Sequence, residues 1–352
     1  MNKTKWVLIF LLPVQWLSIH LIKNQSLWIE QIFSQKVYPL LFKLQRFFFS
    51  ALPFSFGDLV YGLAGVYIIW SLVLLFKRKL NARTLIVNSI AVASLLSLCF
   101  HFLWGLNYYR IPLNEKLNYN LEYNEDQLEE TLKSIIESTN KLHQSLTHSD
   151  SVAVQIPYSK TEIKEQLQSN FHFKLADFKT QPYLKNSLWS TVLSYMGFAG
   201  YLNPLTLESQ VNRKIPKLNY ITTAAHEMAH QLGIASESEA NFIAYYSCAF
   251  HSDPFIQFSG YSFALRYCYS ELYKANPEKA KNHLLRLRPG VLKNFQQLSD
   301  FWKKFQNPFE PYFKKGYDSY LKANGQAKGI LSYNAMVGMV VAHTLERELV
   351  PE

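Results

Sequence analysis

The sequence predicts a mainly α-helical protein in two parts: three membrane-crossing helices, then a larger helical body with a small β element. Three observations carry that prediction. The 352-residue chain is 49% hydrophobic and only 18% charged, against roughly 25% charged in an ordinary soluble protein. Its mean hydropathy is nevertheless −0.07, too polar for a chain that crosses a bilayer many times, so the apolar residues must be concentrated. They lie in the first third, whereas helical periodicity dominates the rest.

Residues 6–22 form an apolar run broken only by Pro13, Gln15, Ser18 and His20, and residues 59–76 and 84–106 carry no charge at all. Each is about 17–23 residues, long enough to cross a hydrocarbon core of about 30 Å as a helix. Trp6, Trp70, Trp104, Tyr108 and Tyr109 sit near the ends of these runs, where interfacial aromatics belong. The first run starts on Lys3 and Lys5 but ends without a small-x-small cleavage site, so it reads as an uncleaved anchor. Residues 37–52 are apolar but interrupted by Lys43, Gln45 and Arg46, a segment expected to lie on the membrane surface. Lys77, Arg78, Lys79 and Arg83 crowd one short loop. The positive-inside rule puts that loop and the N-terminus in the cytoplasm and everything after residue 106 outside. The expected division is a membrane anchor, 1–106, and an outer domain, 107–352.

The net charge of +10 sits partly in that loop. The run from Lys279 to Arg288 is interleaved with leucines and reads as a solvated helix face, so no nucleic-acid partner is expected. Cys99, Cys248 and Cys268 make neither a thiolate metal site nor a disulfide scaffold, though the last two are open to pairing or to burial as thiols.

In the outer domain, residues 125–146 show a helical period with a polar opposite face. Residues 151–157 alternate weakly, as a strand would, and 197–204 read as a short strand and turn. Helical patterns return near Thr222 and break at Pro254, Pro277, Pro289, Pro308 and Pro311. The 330–345 run is too short and polar to cross a membrane and reads as a core helix.

The chemistry-bearing segment is Thr222-Thr223-Ala224-Ala225-His226-Glu227-Met228-Ala229-His230-Gln231-Leu232-Gly233. Chance supplies such a His-Glu-x-x-His match in about two of a hundred chains of this composition. Thr222 or Thr223 can cap a helix and Gly233 can end it. On that helix His226 and His230 stand one turn apart on one face, so both imidazoles reach a single ion. Glu227 projects about 100° around the axis, where a general base stands beside a metal-bound water. A purely structural helix would bury three ionisable groups among alanines, which is costly unless something satisfies them. A third ligand cannot be Ser236, where one large metalloprotease class carries histidine. Ser236 and Glu239 have capping-box spacing. Glu237 shares a face of small residues with Ala240, Asn241, Ala244 and Cys248, so Glu237 is the expected third ligand, with Glu239 as the alternative. Asn241, one turn on, could orient a ligand histidine.

This arrangement resembles the gluzincin metallopeptidases, in which His-Glu-x-x-His is followed by a Glu-x-x-Ala-Asp-like motif on a second helix. The resemblance implies His226, His230 and Glu237 as ligands, Glu227 as base and Asn241 where many members carry Asp. Over nearly its full length the chain is also similar to the bacterial membrane-protein family called domain of unknown function 3810. That likeness rests on Phe54-Ser55-Phe56-Gly57-Asp58, Leu103-Trp104-Gly105-Leu106-Asn107-Tyr108-Tyr109-Arg110, Gly200-Tyr201-Leu202-Asn203-Pro204, 226–233 and 237–242. It implies a bacterial source, a plasma-membrane anchor and a periplasmic or external second domain, zincin-like in fold.

The expected activity is peptide hydrolysis by a zinc-activated water, on a peptide or protein substrate, by an enzyme held in the lipid bilayer. Tyr320, Tyr333 and His343 are the available transition-state donors, and 197–204 the strand expected to pair with an extended substrate. The alternatives are a non-catalytic zinc-binding scaffold, with Glu239 or His251 closing the site, and a transporter, which three spans disfavour.

Overall fold

The computed structural model describes residues 3–171, 173, 175, 180–326 and 333–349, without the side chains of 333, 334, 348 and 349. It is mainly helical, with one three-stranded sheet. Two compact units emerge, and they interleave along the chain: residues 1–111 with 202–208, and 112–201 with 209–352.

In the first unit, α1 (Lys3–Ile22), α4 (Phe56–Phe76) and α5 (Ala82–Leu103) are the helices, among the described residues, long and apolar enough to cross a membrane. The short α2 (Ser26–Trp28), a π-helical stretch Ile29–Val37 and α3 (Tyr38–Phe49) lie between α1 and α4. α3 is amphipathic, burying Tyr38 and Phe42 while exposing Leu40, Leu44, Phe47 and Phe48. The second span starts at Phe56 because the Ser55 hydroxyl accepts from Asp58 N at 3.0 Å, an N-cap that satisfies an otherwise orphaned donor. The third stops at Leu103, where Trp104 leaves helical geometry and a 3-10 turn, Gly105–Tyr109, begins. Polar groups tie the unit together from within: Gln15 Nε2 reaches Ser94 Oγ at 3.2 Å, and Arg110 grips Glu30 through two 2.9 Å bonds.

The second unit begins with α6 (Leu113–Lys116), α7 (Glu125–Thr147) and α8 (Lys160–Ser169). Strand β1 (Leu184–Asn186), α9 (Ser190–Met196), β2 (Gly200–Asn203) and β3 (Glu208–Val211) follow. The sheet order is β1-β3-β2, with β1 parallel to β3 and Leu184 opposite Ser209. β2 and β3 form a hairpin, which leaves β2 at an edge. Then come α10 (Lys217–Gln231), α11 (Glu237–Ala249), α12 (Pro254–Ala275), α13 (Pro277–Leu284), α14 (Pro289–Lys303), α15 (Glu310–Ala323) and α16 (Tyr333–Leu349). Prolines open α12, α13, α14 and α15, because a first-turn residue has no intrahelical N–H bond to lose. The core runs through α10, α11 and α12, with Tyr220, Ile221, Phe242, Ile243 and Phe258 fully buried.

Three local expectations are corrected. Residues 151–157 form no strand; the Asn294 amide pairs with both Val154 N and Val154 O, doing for one residue what a ladder does for several. Helix α10 starts at Lys217 behind Pro216, not at Thr222 or Thr223, since buried Leu218, Tyr220 and Ile221 extend its apolar face. Ser236 makes no capping bond: its hydroxyl pairs with Ser238 Oγ at 3.0 Å, and the Glu239 carboxylate is drawn to Leu113 N, 2.8 Å away. Cys248 and Cys268 are buried free thiols.

Candidate functional site

Helices α10 and α11 meet through buried alanines, Ala225, Ala229, Ala240 and Ala244, so the side chains flanking that seam come close. Gly233 makes the turn between them. Its φ of +86° is the left-handed conformation glycine adopts without penalty. The turn brings the Ile234 carbonyl back to His230 Nδ1 at 2.6 Å, which fixes the ring and aims Nε2 away from the backbone.

His226, His230 and Glu237 then converge, with one ligand atom from each lying within 4.8 Å of the others. His226 Nε2 is 3.3 Å from Glu237 Oε2, and His230 Nε2 is 3.4 Å from Glu237 Oε1. A charge-assisted bond would close to about 2.7–2.9 Å. Atoms bound tetrahedrally at about 2.0–2.1 Å from one zinc ion stand about 3.3–3.4 Å apart. The two spacings are wide for direct ion pairs and wide enough for a shared cation, and two imidazoles with a carboxylate are a donor set zinc accepts.

Electrostatics follow from burial and crowding. Burial alone would lower the pKa of His230, but the Glu237 carboxylate more than offsets this and pushes it up to about 9. Burial would raise Glu237, yet the two histidines hold it well below the carboxylate range. Glu227 faces the opposite balance: burial, with the Glu237 carboxylate, outweighs the downward pull of the two histidines and leaves it at about 7. Its Oε2 is buried with no hydrogen-bond partner among the described residues. Such an oxygen is costly to leave unsatisfied and is free to take up a proton.

The sheet braces α10 on this side. Ser209 Oγ donates to the Glu227 carbonyl at 2.7 Å, Tyr220 OH donates to Asn186 Oδ1 at 2.7 Å, and Gln231 Oε1 accepts from Tyr183 N at 2.6 Å. Edge strand β2 passes so close that a Cβ built on Gly200 would stand 2.7 Å from Glu227 Oε1 and 2.8 Å from the Gln210 carbonyl oxygen. Only glycine fits there.

The remaining sequence-derived residues fall elsewhere. Glu239 caps α6 through Leu113 N, and His251 Nδ1 accepts from Asp253 N. Asn241 is buried one turn beyond Glu237 but orients neither ring, since Ile234 holds His230 and His226 Nδ1 is buried without a partner. His343 packs among Phe242, Tyr246 and Phe250. Its Nδ1 lies 3.0 Å from Tyr119 OH, and burial lowers its pKa to about 4. Tyr320 is exposed on α15 and stacks on Tyr317. Tyr333 opens α16, but its side chain lies outside the described residues.

The residue that sequence reasoning missed is Tyr317. Its hydroxyl donates to Glu237 Oε1 at 2.6 Å, and its ring packs on Phe198 just before β2. It stands 80 positions from Glu237, and nothing in the pattern of α15 marks it; its one signal is Tyr320, one turn along the same helix.

A family model described as "Protein of unknown function (DUF3810)" matches residues 33–341. No curated protein and no solved structure matches the chain.

Proposed function

This chain belongs to the DUF3810 family, and from that premise we propose that it is a membrane-anchored, zinc-dependent metallopeptidase of gluzincin-like design. The observation that carries the reading is the convergence of His226, His230 and Glu237 beside the buried, unpartnered Oε2 of Glu227. The anchor is assigned to residues 1–106 and the peptidase to 107–352. The N-terminus is placed in the cytoplasm and the peptidase on the outer face of a bacterial plasma membrane, on the strength of the basic loop 77–83.

His226 and His230, through Nε2, and Glu237, through its carboxylate, would hold the ion. Zinc bound there supplies Lewis acidity, lowering the pKa of a water toward about 7 and polarising a peptide carbonyl. Glu227 takes the proton of the attacking water at Oε2 and delivers it to the leaving amine. A buried carboxylate beside the ligands is placed for both transfers. Tyr317 holds Glu237 in place. The open edge of β2 offers backbone groups to an extended peptide, and Gly200 lets that strand lie against the base.

The test uses the full-length chain. Metal analysis should find about one zinc per chain, lost in His226→Ala. Glu227→Gln should keep the zinc and lower turnover of a peptide library by about 10²–10⁴-fold. Zinc retained by His226→Ala would remove the ligand set. Zinc bound without cleavage of any peptide would leave the non-catalytic scaffold in its place.

A further inference from the structure

Helix α9 is amphipathic the wrong way round. Ser190 and Ser194 are its buried residues, together with Leu193, and the serines are satisfied inside: Ser190 Oγ donates to Ser187 O, Ser194 Oγ to Ser190 O, and Asn212 Nδ2 to Ser194 Oγ. Trp189, Val192 and Tyr195, spaced three apart, face outward and are exposed. A water-facing helix normally does the reverse.

This face continues onto the start of α15. Tyr195 meets Phe305 edge to face, ring centroids 5.2 Å apart, and its carbonyl accepts from Asn307 Nδ2 at 2.7 Å. Immediately beyond lie Phe309, 68% exposed, Tyr312, 74% exposed, and Phe313. Lysines border these rings: Lys303, Lys304, Lys314 and Lys315 are all exposed. Two of them are paired, Lys303 with Asp300 at 3.8 Å and Lys314 with Glu310 at 2.5 Å, so residues 300–315 carry a net charge of +2, four lysines less two acids, with Lys304 and Lys315 outside those pairs. Contiguous exposed aromatics mark an interaction surface. Tryptophan, tyrosine and phenylalanine among lysines is the composition of a surface seated at the lipid headgroups, and lysines there add about 1 kcal/mol each toward anionic lipid. The same chain carries three helices able to cross a membrane, so a bilayer is within tethered reach of the second unit.

We propose that the face formed by Trp189, Val192, Tyr195, Phe309, Tyr312 and Phe313 rests on an anionic phospholipid surface, its rings at the headgroup–acyl boundary and its lysines against the phosphates. The proposal does not depend on the zinc reading.

The experiment uses the full-length chain with Cys99→Ser, which leaves two buried thiols. It is reconstituted into phosphatidylcholine vesicles with or without phosphatidylglycerol. A fluorophore is placed at Tyr312→Cys or, as reference, at Leu285→Cys; Leu285 is 84% exposed, and the 15-residue α14, about 22 Å long, lies between it and the strip. Nitroxide-bearing lipids should quench the label at 312 at least about twofold more strongly than that at 285, since only the former would lie at the interface. Replacing the four lysines with glutamate should return quenching at 312 to the reference level in phosphatidylglycerol vesicles, with the melting temperature showing that the variant is folded. Equal quenching at the two positions would overturn the proposal. So would shielding of the label at 312 by a second copy of the chain or by added apolar peptide, with no lipid quenching.

Discussion

The two units of this protein are built inside out with respect to each other's chemistry. In the first, leucines, valines and isoleucines of α1, α4 and α5 face outward, while Gln15, Asp58, Ser71 and Ser94 are buried. In the second, α10 and α11 bury their apolar residues, and the exposed residues are mostly polar. Similar side chains thus end up on opposite sides according to the solvent each unit meets. For spans in lipid, apolar contact between helices is not the driving force, so polar bonds and close packing hold them together; in water, burial of apolar area does that work. α9 and the start of α15 are a patch of the first unit's surface chemistry carried on the second.

Perturbing each unit by its own rule sharpens this comparison. The largest effect is expected at the site, where Tyr317→Phe should weaken zinc affinity about 10–100-fold, measured by competition with a chelator, while the helical content of the anchor stays unchanged. An unchanged affinity would make the Tyr317 contact with Glu237 incidental. Gly200→Ala should follow, costing about 1–3 kcal/mol of stability in the second unit through overpacking against Glu227 and the β3 backbone, read as a lowered melting temperature. If the variant melts like the parent, the edge strand does not pack against the base as described.

The metal-free chain should also lose stability as the pH rises above about 6.5; below that, buried His343, whose pKa falls to about 4, adds stability with rising pH and offsets the loss from Glu227. Between 4.5 and about 7 the folded state keeps a proton on Glu227 that the unfolded chain has released, and His230 acts in the same sense from 6.5 to about 9. Glu237 works the other way, its contribution being lost below 4.5. Thermal melts across this range check the slope, and in Glu227→Gln stability should rise between about 4.5 and 6.5, where the His343 contribution then stands unopposed. The smallest effect belongs to the anchor: Gln15→Leu should cost only about 0.6 kcal/mol, as interhelical hydrogen bonds in membranes do, measured by detergent-induced unfolding. A cost of several times that would mean the anchor obeys the second unit's rule.

What was legible in the sequence divides along the same line. The spans were readable because a run of about twenty apolar residues has few alternatives, and their ends shifted by only two or three residues, at Ser55 and Trp104. The His226–His230 pair was readable because helical spacing alone brings the two rings together. The Glu237–Glu239 ambiguity was not resolvable by pattern: the two differ by where Leu113 N lies, more than a hundred residues away. Tyr317 was invisible for the same reason. The strand expected at 151–157 was an alternation with no partner strand, and side chains, His143 at Val152 O, Asn294 at Val154 and Lys217 at Ile156 O, give its backbone something to bond. The Thr222 or Thr223 cap failed because a threonine inside a buried face looks, in one dimension, like a threonine at a helix start.

The tip of the β2–β3 hairpin has a consequence in time. The Glu208 carboxylate accepts from Phe56 N at 3.1 Å and Gly57 N at 2.6 Å, and Thr206 Oγ supports it at 2.9 Å. The first turn of the second span is thus completed by a residue 151 positions later. At about 5–20 residues per second of synthesis, that turn waits roughly eight to thirty seconds for its partner. The helix is made long before it is finished, and a chain cut at the apparent boundary would divide the glutamate from the helix it caps.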